Sequence, residues 1–144
     1  MQTLPHQYSV TAKGDSLGAL TAYCDNLPDI AVAPPAQFGG DGDKWSPEDL
    51  FMAAIANCFV LSFRAIARAS KLEWQDIKCE SQGTLDRVQG KTYFTQVQTK
   101  VQLMIPKTES IEKAEKLLNR ADEACLISNS ISCEMSLECD VVVQ

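Results

Sequence analysis

Hydrophobic and polar positions change their spacing along the chain, and each spacing predicts an element. Residues 7–13 partly alternate, and residues 17–23 resume an extended pattern after a Gly-Asp turn, so we expect a β-hairpin. A strand fragment is expected around Ile30–Val32. A long loop should follow it, because this part of the chain contains a Pro-Pro pair and the glycine-rich run 39–43.

The most apolar part of the chain predicts a helix over residues 46–70. It opens with a serine suited to the N-cap, a proline at the first helical position and two acidic residues facing the positive end of the helix dipole. Residues 50–63 are almost all apolar, which leaves no hydrophilic face for water. A small domain buries only about two thirds of its chain surface. We therefore expect a two-fold symmetric homodimer in which the second subunit covers part of this helix.

The second half of the chain predicts two long strands, a helix and a final strand. Residues 74–88 and 91–105 are rich in β-formers and suggest an extended antiparallel hairpin. Residues 108–124 have apolar positions at helical spacing, and the stripe that includes Ile111 ends on Cys125. Residues 133–143 alternate between apolar and polar as far as Val141, which predicts a strand with one exposed face.

Length, charge and composition narrow the class of protein. A chain of 144 residues fits one domain, so we expect residues 1–144 to form a single domain. The net charge of -6 and the absence of a basic run disfavour binding to nucleic acid. The pattern also predicts no membrane span and no secretory signal, so a cytoplasmic location is expected.

Six cysteines are the main candidates for chemistry. In a reducing cytosol we expect free thiols rather than a disulfide scaffold. There is no CxxC pair and the only histidine is His6, so no metal site is expected. Each cysteine, taken alone, is best interpreted as a small core residue. This interpretation is kept for four of them: Cys24, Cys79, Cys133 and Cys139.

The other two cysteines stand in segments that resemble a known family. In WSPEDLFMAAIANCF, Glu48 lies at the helix start, ten residues before Cys58. In ADEACLISN, a helix ends on Cys125 and a serine follows three residues later. Together with the glycine-rich loop, these segments resemble the motifs of the OsmC/Ohr superfamily (osmotically inducible protein C and organic hydroperoxide resistance protein). Leu126 replaces the proline that is usual in the second motif.

The resemblance implies an α+β fold with antiparallel sheets packed around a buried central helix, in an intertwined homodimer. It also implies an antioxidant role in the oxidative stress response, as a peroxidase that reduces organic hydroperoxides. Cys58 would attack the peroxide and become a sulfenic acid, and Cys125 would condense with it to form a disulfide. An external dithiol, such as one of the lipoyl type, would reduce that disulfide, and no bound cofactor is implied.

One position departs from the family's pattern. The resemblance implies that Glu48 holds an arginine from the N-terminal hairpin beside the reactive cysteine, but Ser16 occupies that position. Without the arginine, Glu48 is equally well interpreted as an acid that interacts with the helix dipole. Ten residues of helix also place it roughly 15 Å along the axis from Cys58. If both act in one site, Glu48 would serve Cys58 of the partner subunit.

Three functions therefore stay open at this point. The first is a thiol peroxidase acting on organic hydroperoxides. The second is a non-peroxidatic relative, a dimer that senses redox state or binds a small ligand after losing the activating arginine. The third treats Cys58 and Cys125 as core packing only, and resistance of both thiols to alkylation in the folded protein would support it.

Overall fold

Three short strands form the sheet of the N-terminal unit. The computed structural model describes residues 1–144. In it, β1 (Thr11–Lys13), β2 (Leu20–Tyr23) and β3 (Ile30–Val32) pair antiparallel in that order, which confirms the predicted hairpin and strand fragment. These strands belong to a compact unit, Met1–Phe51, and the rest of the chain forms a second unit, Met52–Gln144. The single domain stays a prediction.

The loop after β3 is a structured turn. A short 3-10 helix, Ala36–Phe38, is closed by Gly39, which has a φ of 87° that favours glycine. The amide of Gly40 then donates a 3.0 Å hydrogen bond to the carbonyl of Pro35. A Cβ atom on Gly40 would overlap the carbonyl oxygen of Pro34. Only glycine therefore fits this close approach of backbone to backbone.

Helix α1 (Pro47–Ala69) begins where the sequence predicts, because Ser46 and Asp49 cap each other. The Oγ of Ser46 accepts a 3.0 Å hydrogen bond from the amide of Asp49, while the amide and Oγ of Ser46 donate to Oδ2 of Asp49 at 3.1 and 2.9 Å. This reciprocal arrangement is a capping box. The sequence interpretation treated Asp49 only as a dipole acid, and the structure gives it this second role.

The buried side of α1 is narrow. Its fully buried residues recur every four positions, and they are Ile55, Phe59, Phe63 and Ala67. Most of the remaining apolar residues of the helix are half-buried, and Leu61 is 59% exposed. By length and composition alone the helix could cross a membrane, a test that core helices of soluble proteins also pass. Three of its buried residues do pack in the hydrophobic core of the second unit.

The sheet of the second unit has the strand order β4-β5-β6, formed by β4 (Asp76–Val88), β5 (Lys91–Ile105) and β6 (Glu134–Val143). Strands β4 and β5 form the predicted antiparallel hairpin, with an irregularity between Thr84 and Leu85. Strand β6 pairs parallel to β5, so the expectation of antiparallel pairing does not hold there. The connection through a helix allows it, because parallel neighbours need a crossover of a dozen or more residues.

That crossover contains α2 (Ile111–Ala124), which begins at an N-cap serine, Ser110, whose Oγ accepts from the amide of Lys113 at 3.1 Å. The prediction of which residues form the buried face of α2 is confirmed in the centre of the helix and wrong at its start. Ile111 is 46% exposed, whereas Leu117 is buried. The buried face of α2 packs with residues of α1 and β5 in one core cluster. Complete burial of each Leu or Phe contributes about 1.5 to 3 kcal/mol.

Candidate functional site

Cys125 occupies a break between two helices. It ends α2 and immediately precedes α3 (Leu126–Asn129), with an extended backbone conformation at φ -68° and ψ 101°. Its amide donates to the carbonyl of Asp122 at 3.3 Å, and its own carbonyl accepts from the amide of Asn129 at 2.9 Å. The side chain is completely buried. The thiol is therefore held in a fixed position by both helices.

Ser128 is the nearest polar contact of this thiol. Its hydroxyl donates a 3.3 Å hydrogen bond to Sγ of Cys125. Burial raises the pKa of Cys125, the side-chain and backbone hydrogen bonds from Ser128 oppose that change, and the neighbouring Cys58 thiol adds to it. The net direction is upward, so at neutral pH Cys125 is a protonated thiol. In the sequence this serine is only part of a motif, and in the structure it makes a direct contact with the Cys125 sulfur.

Cys58 and Cys125 are neighbours although they lie far apart in sequence. Cys58 is half-buried on α1, and its thiol is close enough to the Cys125 thiol to raise the pKa of that thiol. Both are free thiols in this structure. A disulfide requires Cα atoms within about 7 Å and facing side chains. Two neighbouring free thiols are thus candidate partners for a reversible bond.

Two further thiols lie near this pair. Cys79 on β4 and Cys139 on β6 are both register partners of Val101, so they share one face of the sheet, the face that packs against the core. Burial, followed by the neighbouring Cys125 and Cys139, raises the pKa of Cys79 to about 11. Burial, followed by the charges of Asp122 and Glu115, raises the pKa of Cys139 to about 11. Both thiols are therefore weak nucleophiles at neutral pH.

Glu48, the third predicted site residue, lies in the first turn of α1, whereas Cys58 lies in the middle of that helix. Its place near the start of the helix puts it about 15 Å along the axis from Cys58. It lines a cavity together with Ser16, the residue that replaces the expected arginine. Within one chain, Glu48 therefore belongs to a different region from the cysteine pair. Across the whole chain, no three His, Cys, Asp or Glu side chains are grouped to hold a metal ion.

Comparison with known proteins identifies the family. The family model described as OsmC-like protein matches residues 40–140. The chain belongs to the OsmC/Ohr superfamily. The match covers both cysteines and Glu48, the residues on which the sequence resemblance was based.

Individual relatives agree with this assignment. An organic hydroperoxide resistance protein-like protein of Staphylococcus aureus is 31% identical over 121 residues, covering 83% of each chain. The solved structure of an OsmC-like protein of unknown function from Vibrio cholerae superposes with a TM-score of 0.85 at 23% identity, over 94% of this chain and 99% of that one. An organic hydroperoxide resistance protein OsmC from Legionella pneumophila gives 0.72 at 27% identity, over 96% and 99%. The α+β OsmC-like fold is thereby confirmed.

The OsmC-like arrangement permits one class of chemistry more readily than others. It brings together one half-buried thiol, one buried thiol and a hydroxyl that donates to the buried sulfur. A pair of this kind can pass between dithiol and disulfide without a metal ion or an organic cofactor. The site is thus suited to a redox role.

Proposed function

We propose that this protein is a thiol-dependent peroxidase that reduces organic hydroperoxides through Cys58 and Cys125. The proximity of these two free thiols carries the proposal, because a sulfenic acid on one could be resolved by the other. The similarity to proteins named for organic hydroperoxide resistance supports the choice of substrate. Apolar neighbours of Cys58 on α1 would favour a peroxide with an apolar substituent.

Each step of the reaction balances with a dithiol as the reductant. The Cys58 thiolate attacks the terminal oxygen of the hydroperoxide, the O–O bond breaks, and the alcohol leaves after taking up a proton. Cys58 is now a sulfenic acid, oxidised by two electrons. Cys125 attacks this sulfur, a disulfide forms, and the hydroxyl group leaves as water. An external dithiol, of the lipoyl or a similar type, then exchanges with the disulfide and restores both thiols.

The proposal includes a homodimer in the cytoplasm. Most of the apolar surface of α1 outside its narrow buried stripe is partly exposed in the single chain, and Leu61 is 59% exposed. Exposed apolar patches of this kind often mark protein–protein interfaces. In such a dimer, Glu48 would be a third functional residue that acts next to Cys58 of the partner subunit.

A second function is favoured by one specific observation. Ser16 stands where the resemblance implies an arginine, and the causes that shift the pKa of Cys125 are burial, Ser128 and Cys58, with no basic side chain among them. A thiol pair without a nearby cation would react slowly with peroxide. The alternative is therefore a dimer that senses redox state or binds a small ligand.

Rapid mixing of the reduced protein with cumene hydroperoxide or hydrogen peroxide, in the presence of dihydrolipoamide, distinguishes the two functions. If the protein is a peroxidase for organic hydroperoxides, cumene hydroperoxide should be consumed over many turnovers, and it should react faster than hydrogen peroxide. Cys58→Ser should be inactive. In a mixture without the dithiol, Cys125→Ser should react once and hold a sulfenic acid that dimedone traps. Cys24→Ser, assayed with the dithiol, serves as the matched control with normal turnover. Absence of turnover together with unmodified Cys58 would favour the alternative.

A further inference from the structure

A cavity of about 420 Å³ lies in the N-terminal unit, between the β1–β2 connection and the start of α1. Its size falls within the range of small-molecule sites. Its polar lining consists of Asp15, Ser16 and Glu48, and much of its remaining wall comes from Leu20, Val32, Pro34, Pro35 and Phe38. No lysine or arginine lines it. The cavity therefore combines two carboxyl groups and a hydroxyl with an apolar wall.

Glu48 carries an unpartnered oxygen in this region. Its Oε2 is shielded from solvent, and it is the only buried side-chain nitrogen or oxygen in the protein without a hydrogen-bond partner. The helix cap does not need it, because Ser46 and Asp49 already satisfy each other. A buried carboxylate oxygen without a partner is costly, and a cation that donates a hydrogen bond relieves that cost.

We infer that this cavity binds a guanidinium group carried on a short apolar chain. The guanidinium would donate to Glu48, with Asp15 adding negative charge and the hydroxyl of Ser16 accepting a further N–H. A planar guanidinium is more weakly hydrated than an ammonium ion and matches carboxylate geometry. The apolar chain would lie against Leu20 and Phe38. Glu48 also has a proposed role beside Cys58 of the partner subunit, so binding is measured without peroxide, and a failure of the peroxidase proposal would leave the result unaffected.

Isothermal titration of the full-length protein with propylguanidinium tests the inference. Propylurea is the control ligand, because it has nearly the same shape and no charge. Saturable binding is expected, with affinity about tenfold or more above that of propylurea, since a charge-assisted hydrogen bond contributes at least one decade. Equal binding of the two compounds, or no saturable binding, would overturn the inference.

Variants identify the groups that hold the cation. Glu48→Gln should lower the affinity for propylguanidinium about tenfold or more, whereas Glu134→Gln, which removes an exposed carboxylate on β6, should not change it. Ser16→Arg should block the free ligand by placing a tethered guanidinium in the cavity. This variant keeps the inference testable if Glu48→Gln does not fold. Unchanged binding in Ser16→Arg would contradict the assigned site.

The same group could come from a free molecule or from an arginine of another polypeptide. A blocked Gly-Arg-Gly peptide, titrated under the same conditions, separates these sources. Tighter binding of the peptide than of propylguanidinium would assign the site to a protein partner, and weaker binding would assign it to small molecules. Both results support recognition of guanidinium, provided that Glu48→Gln loses it.

Discussion

Cys79 and Cys139 lie on either side of Val101, in one row across the sheet of the second unit. With strands about 4.8 Å apart, two strand spacings hold their Cα atoms roughly 10 Å from each other, beyond the reach of a disulfide. They are therefore expected to stay reduced when Cys58 and Cys125 oxidise. Peptide mapping after treatment with peroxide should find only the Cys58–Cys125 bridge, and a Cys79–Cys139 bridge would contradict the register of the sheet.

The same two thiols predict how stability changes at high pH. Their pKa values are raised from 9.0 to about 11 in the folded protein, so their contribution is complete below pH 9 and is lost as the pH rises toward 11. After discounting for partial exposure, each should contribute about 1 kcal/mol to the free energy of unfolding. Urea unfolding of Cys79→Ala/Cys139→Ala should show a shallower decline between pH 9 and pH 10.5 than the natural protein. Equal declines would show that neither thiol is shifted.

Ser128 should control the second step of the proposed reaction. Its hydrogen bond to Cys125 lowers the pKa of that thiol against the effect of burial, so Ser128→Ala should slow disulfide formation about fivefold at pH 7. The defect should shrink as the pH rises, because more Cys125 is then ionised. Quenched samples alkylated and analysed by mass spectrometry give the rate. Ser130→Ala is the matched control, since Ser130 donates to the carbonyl of Leu126 instead.

An arginine at position 16 should stabilise the protein. Ser16 and Glu48 line the same cavity, so the new guanidinium can pair with the unpartnered Glu48 oxygen. A net gain of about 1 kcal/mol would raise Tm by about 4 °C. On the proposed mechanism, turnover of cumene hydroperoxide at pH 7 should also rise. Scanning calorimetry measures the rise in Tm, and the peroxide assay measures the rise in turnover. The double variant Ser16→Arg/Glu48→Gln is the control and should show neither rise. If the natural protein turns over fast and its rate does not change with pH, the peroxidase reaction does not need an arginine at position 16.

Gly40→Ala should disrupt the turn before α1. The added Cβ would overlap the carbonyl oxygen of Pro34, which is backbone and cannot move aside cheaply. We expect a loss of about 2 kcal/mol or more in the free energy of unfolding, as for other overpacked sites. Asp41→Ala, an exposed neighbour in the same loop, should lose much less. Equal urea midpoints for the two variants would refute the close approach.

Light scattering tests the proposed dimer. Leu61→Asp places a charge on the exposed apolar surface of α1 and should shift the dimer toward monomer at micromolar concentration. Ile111→Asp is the control, because it also replaces an exposed apolar residue with a charge. Ile111 is 46% exposed at the start of α2, away from the apolar surface of α1, so this variant should remain dimeric. A natural protein that is monomeric at this concentration would rule the dimer out.

Local chemistry made most of the elements predictable from sequence. Ser46 and Pro47 indicate the start of α1, and alternation of apolar and polar residues indicates β6, because caps and side-chain periodicity act over a few residues. Alternation does not encode which neighbour a strand takes or in which direction, so the parallel pairing of β6 was missed. The pairing of Cys58 with Cys125 rests, at the level of sequence, on family resemblance alone. The unpartnered oxygen of Glu48 depends on packing around the whole cavity, which no local pattern reports.

The parallel pairing of β6 has a consequence for the order of folding. Strands β4 and β5 are joined by a tight turn, so they can pair early at little cost in loop-closure entropy. Strand β6 must wait for α2 to form and cross over, which makes its docking a late, nonlocal event. Cys125 lies within that crossover and is completely buried in the finished structure. During refolding, it should therefore remain accessible to alkylating reagents after the amides of the β4–β5 hairpin have become protected from hydrogen exchange.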